Sequence, residues 1–208
     1  MLTVHHLGIS QSERIVWLCE ELGLDYDLVL HQRRADTRGA PDSIKALHPM
    51  GIAPVITDGD VTLAESGAII DWIVAKHGQG RLVPSPDSPD FAGHLYWYHF
   101  ANGTFMTTAM MELAVTMSGG TQPPLVTDRK ARCWALAEAR LGEAPYFGGQ
   151  ELTTADIMMG FSLTTMRAFG GVDLTEFPNI RAYLERIGQR PAYRRAMAKA
   201  EPESVGAG

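Results

Sequence analysis

Cysteine, positive charge and long apolar runs are all scarce in this sequence, and each shortage removes a class of function. Cys19 and Cys133 stand alone, far apart, in neither a CxxC nor a metal-ligand spacing. A disulfide framework and a structural zinc site are therefore excluded, no metal is expected, and the two thiols suit a reducing cytoplasm. Lys and Arg number 18 against 24 Asp and Glu, a net charge of -6. That balance lacks the basic excess that grips phosphate backbones or anionic bilayers, so neither nucleic acid nor membrane is an expected partner. No segment reaches the roughly 18 uninterrupted apolar residues of a membrane span, and residues 1–6 lack the basic start and apolar run of a secretory signal. The expectation is a soluble protein that is not exported.

What is present is an ordinary globular composition, 45% hydrophobic and 20% charged over 208 residues, enough for one large or two small domains. Residues 2–6 read as a strand. From Ser12 to Leu22 the apolar residues Ile15, Leu18, Cys19 and Leu22 recur at i, i+3, i+4 and i+7, one buried helical stripe that Gly23 ends. Tyr26, Leu28 and Leu30 alternate with polar residues as in a half-buried strand, and a short helix follows over 41–47. Val55-Ile56 and 61–64 flank the Asp58-Gly59 turn as a hairpin, and a helix resumes at Ser66 with Ile69, Ile70, Ile73 and Val74 on one face. The order is βαβα then ββα, an α/β unit with a mixed sheet.

Composition shifts after residue 78. Pro84, Pro86 and Pro89 with intervening Ser and Gly make 79–89 a linker between an α/β domain, 1–78, and a domain over 90–208. Helical periodicity then dominates 90–118, 127–142, 153–169 and 178–199, broken at glycine pairs, which predicts an all-α bundle. Residues 201–208 are expected to fray.

Four short segments carry more than architecture. In Gly51-Ile52-Ala53-Pro54-Val55 a proline enters an apparently internal strand, which places it at a strand start or bend, with its peptide bond either trans or cis. Ala64-Glu65-Ser66-Gly67 joins a strand to a helix with Ser66 at the N-cap position. Free N–H groups and a hydroxyl at a helix N-terminus bind a carboxylate, and Glu65 beside them can hold an ammonium, together an α-amino acid head group. Ser10-Gln11-Ser12-Glu13 matches a capping box with Ser10 as N-cap and Glu13 at N3, and Thr153-Thr154-Ala155-Asp156 matches a second, flanked by a Leu152–Ile157 staple. The second box is read as purely structural. His5 and His6, adjacent on a strand, point to opposite faces and form no metal pair. Phe105, Met106, Met110, Met111 and Met117 fall on one long helix, where most are expected in the core.

Taken together, 47–56, Asp58-Gly59-Asp60, 63–70 and a following helical domain resemble the glutathione transferase superfamily over essentially the whole chain, and the opening 5–14 is similar to its serine-type bacterial and fungal branch, related to the theta and phi classes. The resemblance implies a thioredoxin-like first domain that binds glutathione. The proline matching Pro54 is then cis, Ala53 pairs its backbone with the cysteinyl part of glutathione, and Glu65 with Ser66 grips the γ-glutamyl end. Arg38 lies where phi relatives keep a contact to the glycyl carboxylate. Ile52 departs from the Lys or Gln common in relatives, which removes a polar contact. Ser10 matches the activating serine better than the alternative, Ser12.

The implied chemistry is attack by glutathione's own thiolate, since a thiol with a pKa near 8.5 needs a hydroxyl hydrogen bond and a helix dipole to ionise at neutral pH. The expected partners are glutathione as co-substrate and a small apolar electrophile held against Phe105 and Met106, in a detoxifying transferase with possible hydroperoxide reduction. A homodimer is implied, with Tyr96, Trp97, Tyr98 and Phe100 on the interface helix and Asn102 reaching a neighbour's glutathione. Two alternatives stay open: a thiol transferase, which needs a cysteine where Ser10 stands, and a non-catalytic interaction module on the same fold.

Overall fold

The computed structural model describes residues 1–201; the fraying expected for the tail concerns, beyond Glu201, residues outside that range. The chain divides into two units, Met1–Arg81 together with the described residues from Gly188 onward, and Leu82–Ile187.

In the first unit, β1 (Leu2–Leu7), α1 (Glu13–Leu22), β2 (Asp27–His31), α2 (Asp42–Lys45), β3 (Val55–Asp58), β4 (Val61–Ala64) and α3 (Ser66–Lys76) follow in order. The sheet runs β2-β1-β3-β4. β2 is parallel to β1, and β3 and β4 are antiparallel neighbours. The sheet is mixed because α1 returns the chain for a parallel pairing whereas the Gly59-Asp60 turn allows only an antiparallel one. Gly59 has φ +59°, a left-handed turn that glycine adopts without penalty.

The α1 stripe Ile15, Leu18, Cys19 and Leu22 is buried, but so are Arg14, Trp17 and Glu20 on its other flanks. The cause is α10 (Pro191–Ala200), which lies against α1. Trp17 meets Tyr193 edge-on at 4.9 Å, and Glu20 is held by Arg195 at 2.9 Å and Lys199 at 2.5 Å. Arg190 pairs with Glu21 through two nitrogens, at 2.7 and 2.8 Å. The single helical segment read over 178–199 is thus two helices, α9 (Pro178–Gly188) and α10, separated because Pro191 occupies the first turn of the second. By contacts the last helix groups with the α/β unit rather than with the bundle.

The second unit contains α4 (Phe91–Phe100), a π-helical turn (Ala101–Met106), α5 (Thr107–Met117), α6 (Pro124–Glu143), α7 (Thr154–Leu163), α8 (Thr165–Gly170) and α9. Every residue of α7 is buried, and α4, the π-helical turn and α8 pack against it. Of the helical methionines, Met106 is buried, whereas Met110, Met111 and Met117 are exposed, contrary to the reading that placed most in the core. The π turn before them offsets the helical phase by one residue, so one stripe does not run the length of 91–117.

The α7 capping box forms: Thr153 Oγ1 accepts from Ala155 N at 3.2 Å, and Asp156 Oδ2 from Thr153 N at 2.9 Å. Asp156 Oδ1 also accepts from Phe147 N at 2.8 Å, which ties the preceding loop to the helix start. That loop needs its glycines, because a Cβ on Gly148 would sit 2.2 Å from Thr153 Oγ1 and one on Gly149 2.2 Å from Asp90 Cγ.

Burial pushes the Asp156 carboxyl up to about 6, against the N–H bonds from Thr153 and Phe147 that favour its ionised form. Asp156→Ala is expected to lower stability by about 2–4 kcal/mol, a lost cap plus stranded N–H groups. Because the folded state holds the Asp156 proton more tightly than the unfolded chain, the group's contribution is full below the unfolded value of 3.8 and lost as pH rises through about 6. The stability difference between wild type and Asp156→Asn should therefore shrink over that window in denaturant titrations. An Asp156→Ala protein with an unchanged midpoint and no activity would contradict a structural role.

Candidate functional site

One end of the sheet gathers four chain segments. Leu7 pairs with His31, His5 with Val55, and Val55 with Ala64. The loop after β1, the loop after β2, the Ala53-Pro54 entry to β3 and the Glu65-Ser66 exit from β4 consequently lie together, which is where such sheets hold ligands. Three of the described non-glycine residues with left-handed φ belong to these segments: Ile9 at +55°, Arg38 at +59° and Glu65 at +72°. For a β-branched residue such as Ile9 that conformation is costly, and strain of this kind concentrates at functional sites. Of the two isomers left open for Ala53-Pro54, the bond is cis.

The two serines differ in what their hydroxyls do. Ser12 is wholly buried, and its Oγ lies 3.1 Å from Leu7 N, 3.2 Å from Leu7 O and 2.9 Å from His6 Nδ1. Ser10, half-buried, donates to Leu7 O at 2.6 Å, contacts Ser12 Oγ at 2.7 Å and accepts from Ser12 N at 3.3 Å. The capping box expected across Ser10 and Glu13 does not form, because α1 begins at Glu13 with Ser12 at its N-cap and no side-chain cap. Both hydroxyls instead tie the end of β1 to the start of the helix.

Across the site, Ser66 is buried at the first position of α3 rather than capping it, and Glu65 takes the N-cap position with its side chain exposed. The Ser66 hydroxyl donates to Gln11 Oε1 at 3.3 Å and accepts from Arg14 Nη1 at 3.4 Å, and Arg14 also donates to Gln11 at 2.5 Å. Arg14 is 1% exposed. Gln11 and Arg14 thus bridge the start of α1 to the start of α3, and the motif reading missed both. The signal was there: Arg14 shares a helical row with Leu18 and Leu22, so a charge stands on a buried stripe.

Glu201 is a third residue the sequence did not disclose. Its Oε1 accepts from Ile9 N at 2.6 Å and lies 3.3 Å from His6 Nε2. Burial raises its carboxyl, but the bonds from His6 and Ile9 N–H outweigh that and hold it below the usual range. Arg33 clamps the same loop through the carbonyls of Gly8 and Ile9, and reaches the loop after β2 through that of Arg38. Beside them opens a cavity of about 200 Å³ whose walls include His6, Arg33, Arg38 and Glu201. His5 bonds to His31 and Thr57. Ile52 is exposed.

Cys19 is fully buried, and burial first, then Glu20, pushes its thiol up to about 12, so it offers no thiolate. In the helical unit Met106 packs with Phe161 and Met166, and Phe105 stands between Phe100 and Trp134.

Two family models match, "Glutathione S-transferase, N-terminal domain" over residues 10–76 and "Glutathione S-transferase, C-terminal domain" over 106–191. Glutathione S-transferase 3 of Schizosaccharomyces pombe is 28% identical, over 99% of this chain and 90% of its own. Glutathione S-transferase 1 of Saccharomyces cerevisiae is 27% identical, over 96% and 95%. The crystal structure of a glutathione S-transferase from Actinobacillus pleuropneumoniae superimposes with a TM-score of 0.87 at 33% identity, covering 97% of this chain and 93% of that one. The α/β unit is accordingly thioredoxin-like and the remainder a helical domain of the same kind. The chain belongs to the glutathione transferase superfamily.

Proposed function

We propose that this glutathione transferase joins the thiolate of glutathione to small apolar electrophiles, with the Ser10 hydroxyl as hydrogen-bond donor to the sulfur. The observation that carries the reading is the difference between the serines. Ser10 keeps a half-buried hydroxyl at the site end of β1, whereas Ser12 is closed in by Leu7 and His6. Turning the Ser10 O–H from Leu7 O towards sulfur leaves that carbonyl with Ser12 at 3.2 Å, so little is lost.

In this reading the γ-glutamyl group sits at Glu65 and Ser66, backed by Gln11 and Arg14, whose guanidinium complements its carboxylate. Ala53, before cis Pro54, meets the cysteinyl backbone, and Arg38 faces the glycyl carboxylate across the loop cavity. Exposed Ile52 supplies only apolar contact. The sulfur attacks an electrophilic carbon, a C–S bond forms and a leaving group departs with its electron pair. Attack by the same thiolate on the terminal oxygen of a hydroperoxide breaks the O–O bond, releases the alkoxide to be protonated as the alcohol, and leaves glutathione sulfenic acid, which a second glutathione converts to the disulfide and water. Phe105 and Met106 furnish the apolar surface proposed for the electrophile. Among the described residues no helix is long and apolar enough to cross a membrane, and with both cysteines buried as free thiols the reducing cytoplasm is the compartment we assign, and detoxification the role.

Self-association is the second part of the proposal. Of the four aromatic residues read as an interface, Trp97, Tyr98 and Phe100 are buried within the helical unit and only Tyr96 is exposed, at 51%. Tyr96 stacks on Phe100 at 5.4 Å and, with Leu95 and His99, forms a shallow apolar patch on α4. A second copy of the chain is the occupant proposed for that patch, with Asn102 near it. Sedimentation at micromolar concentration should give a dimer that Tyr96→Glu converts to monomer; a wild-type monomer of 22.7 kDa would remove the claim.

Ser10→Ala should raise the pKa of bound glutathione, read from thiolate absorbance against pH, and lower turnover about ten- to hundredfold with little change in Kd for glutathione. Ser12→Ala should leave that pKa in place and lower stability by about 1–3 kcal/mol, since a buried partner of His6 and Leu7 N is lost. The reverse pattern would move the donor role to Ser12, and no effect of either would assign the thiolate to backbone N–H groups and the α1 dipole.

A further inference from the structure

The helical unit contains a cavity of its own. It holds about 110 Å³ and is bounded by the π-helical turn, α5, α6, α7 and α8. Its deep wall is mostly apolar: Phe105, Trp134 and Met166 are each at most 6% exposed. Phe169, over half exposed, marks its outer edge. The volume is of the order at which an apolar cavity accepts a single aromatic ring.

One polar group in that wall is out of place. Ser162 lines the cavity, is 1% exposed, and its hydroxyl has no hydrogen-bond partner among the described residues. A buried helical serine ordinarily turns its hydroxyl to the carbonyl four residues back. Left unpaired, the group keeps a desolvation cost that alanine at the same place would avoid. The other polar groups are engaged. Thr108 donates to Thr104 O at 2.7 Å and receives the Cys133 thiol at 4.0 Å. Lys130 and Glu112 neutralise each other at 2.6 Å, and Arg167 is bound to the carbonyls of Leu163 and Val172. A cationic guest finds no unpaired carboxylate here, and the Nε–H and Nη1 of Arg167, which an anion would need, are already directed at carbonyls. A lone water would gain one unsatisfied partner rather than the two to four that hold buried waters.

We infer that this cavity is a binding site for a neutral, single-ring apolar molecule carrying one hydroxyl or carbonyl group, and that Ser162 recognises that group. The site is built entirely from residues 105–172. It shares Phe105 with the electrophile reading above but does not rest on it, because its occupancy requires neither glutathione nor turnover. Cys133, whose thiol burial pushes up, remains a neutral contact in the wall.

Phenol and toluene, nearly equal in shape, separate the two halves of the inference. Titrated into the full chain, with methionine methyl resonances as the readout, both should shift Met166 and leave exposed Met117 unmoved. Ser162→Ala should weaken phenol about three- to tenfold and leave toluene unchanged or tighter. Ala109→Leu, which fills the cavity, should abolish both while retention on glutathione resin persists. Absence of any Met166 response to either compound in the wild-type protein would overturn the site, even if the variants fail to fold. An equal effect of Ser162→Ala on both compounds would overturn the role of its hydroxyl. Loss of glutathione retention in the wild-type chain bears on the transferase reading alone.

Discussion

The buried hydroxyl of Ser12 joins the last residues of β1 to the first turn of α1, and the site depends on that junction. Within one wholly enclosed group it meets the N–H and carbonyl of Leu7, the ring of His6 and the hydroxyl of Ser10. A strand end and a helix start both present backbone groups without regular partners. Here one side chain serves both, so the loop between them can hold Ile9 in a left-handed conformation and keep Ser10 at the site end of the sheet. Glu201 and Arg33 brace the same loop from outside, through Ile9 N–H and through its carbonyls.

The same economy of paired buried groups governs the rest of the α/β unit. Glu20 and Glu21, on a helix that is almost wholly covered, are matched by Arg190, next to the start of α10, and by Arg195 and Lys199 on it. Removing one partner would strand a charge away from water, so the helix pair is specific in register as well as adhesive. Arg14 follows this rule at the site itself, where its guanidinium, Gln11 and Ser66 form a polar seam between α1 and α3. In the helical unit Asp156 has the corresponding part, satisfying two N–H groups at the start of the buried α7. Ser162, farther along the same helix, departs from the rule with an unpaired hydroxyl that lies beside a cavity.

Much of this was legible in the chain. Alternation and 3.6-residue spacing locate the strands and helices within a few residues, Asp58-Gly59 marks the hairpin, Gly23 ends α1, and Thr153 with Asp156 announces a capping box. Such features are written in stretches of about ten residues, because propensity, caps and turns act locally. The convergence of the Ser10, Pro54 and Glu65-Ser66 segments is legible too, once the order βαβα-ββα is taken as one mixed sheet.

Other features were decided only when distant residues met. Whether Ser10 or Ser12 is the enclosed hydroxyl depends on His6; the roles of Gln11 and Arg14 depend on Ser66; and the placement of α10 depends on charges nearly 180 residues away in sequence, between Glu20 and Lys199. The aromatic run on α4 and the methionines after it show the same limit, since periodicity says which residues share a face but not which face is covered. Local pattern determines what a segment becomes. Which buried polar groups find partners, and which apolar faces are covered, is settled by packing between segments that no short-range pattern encodes.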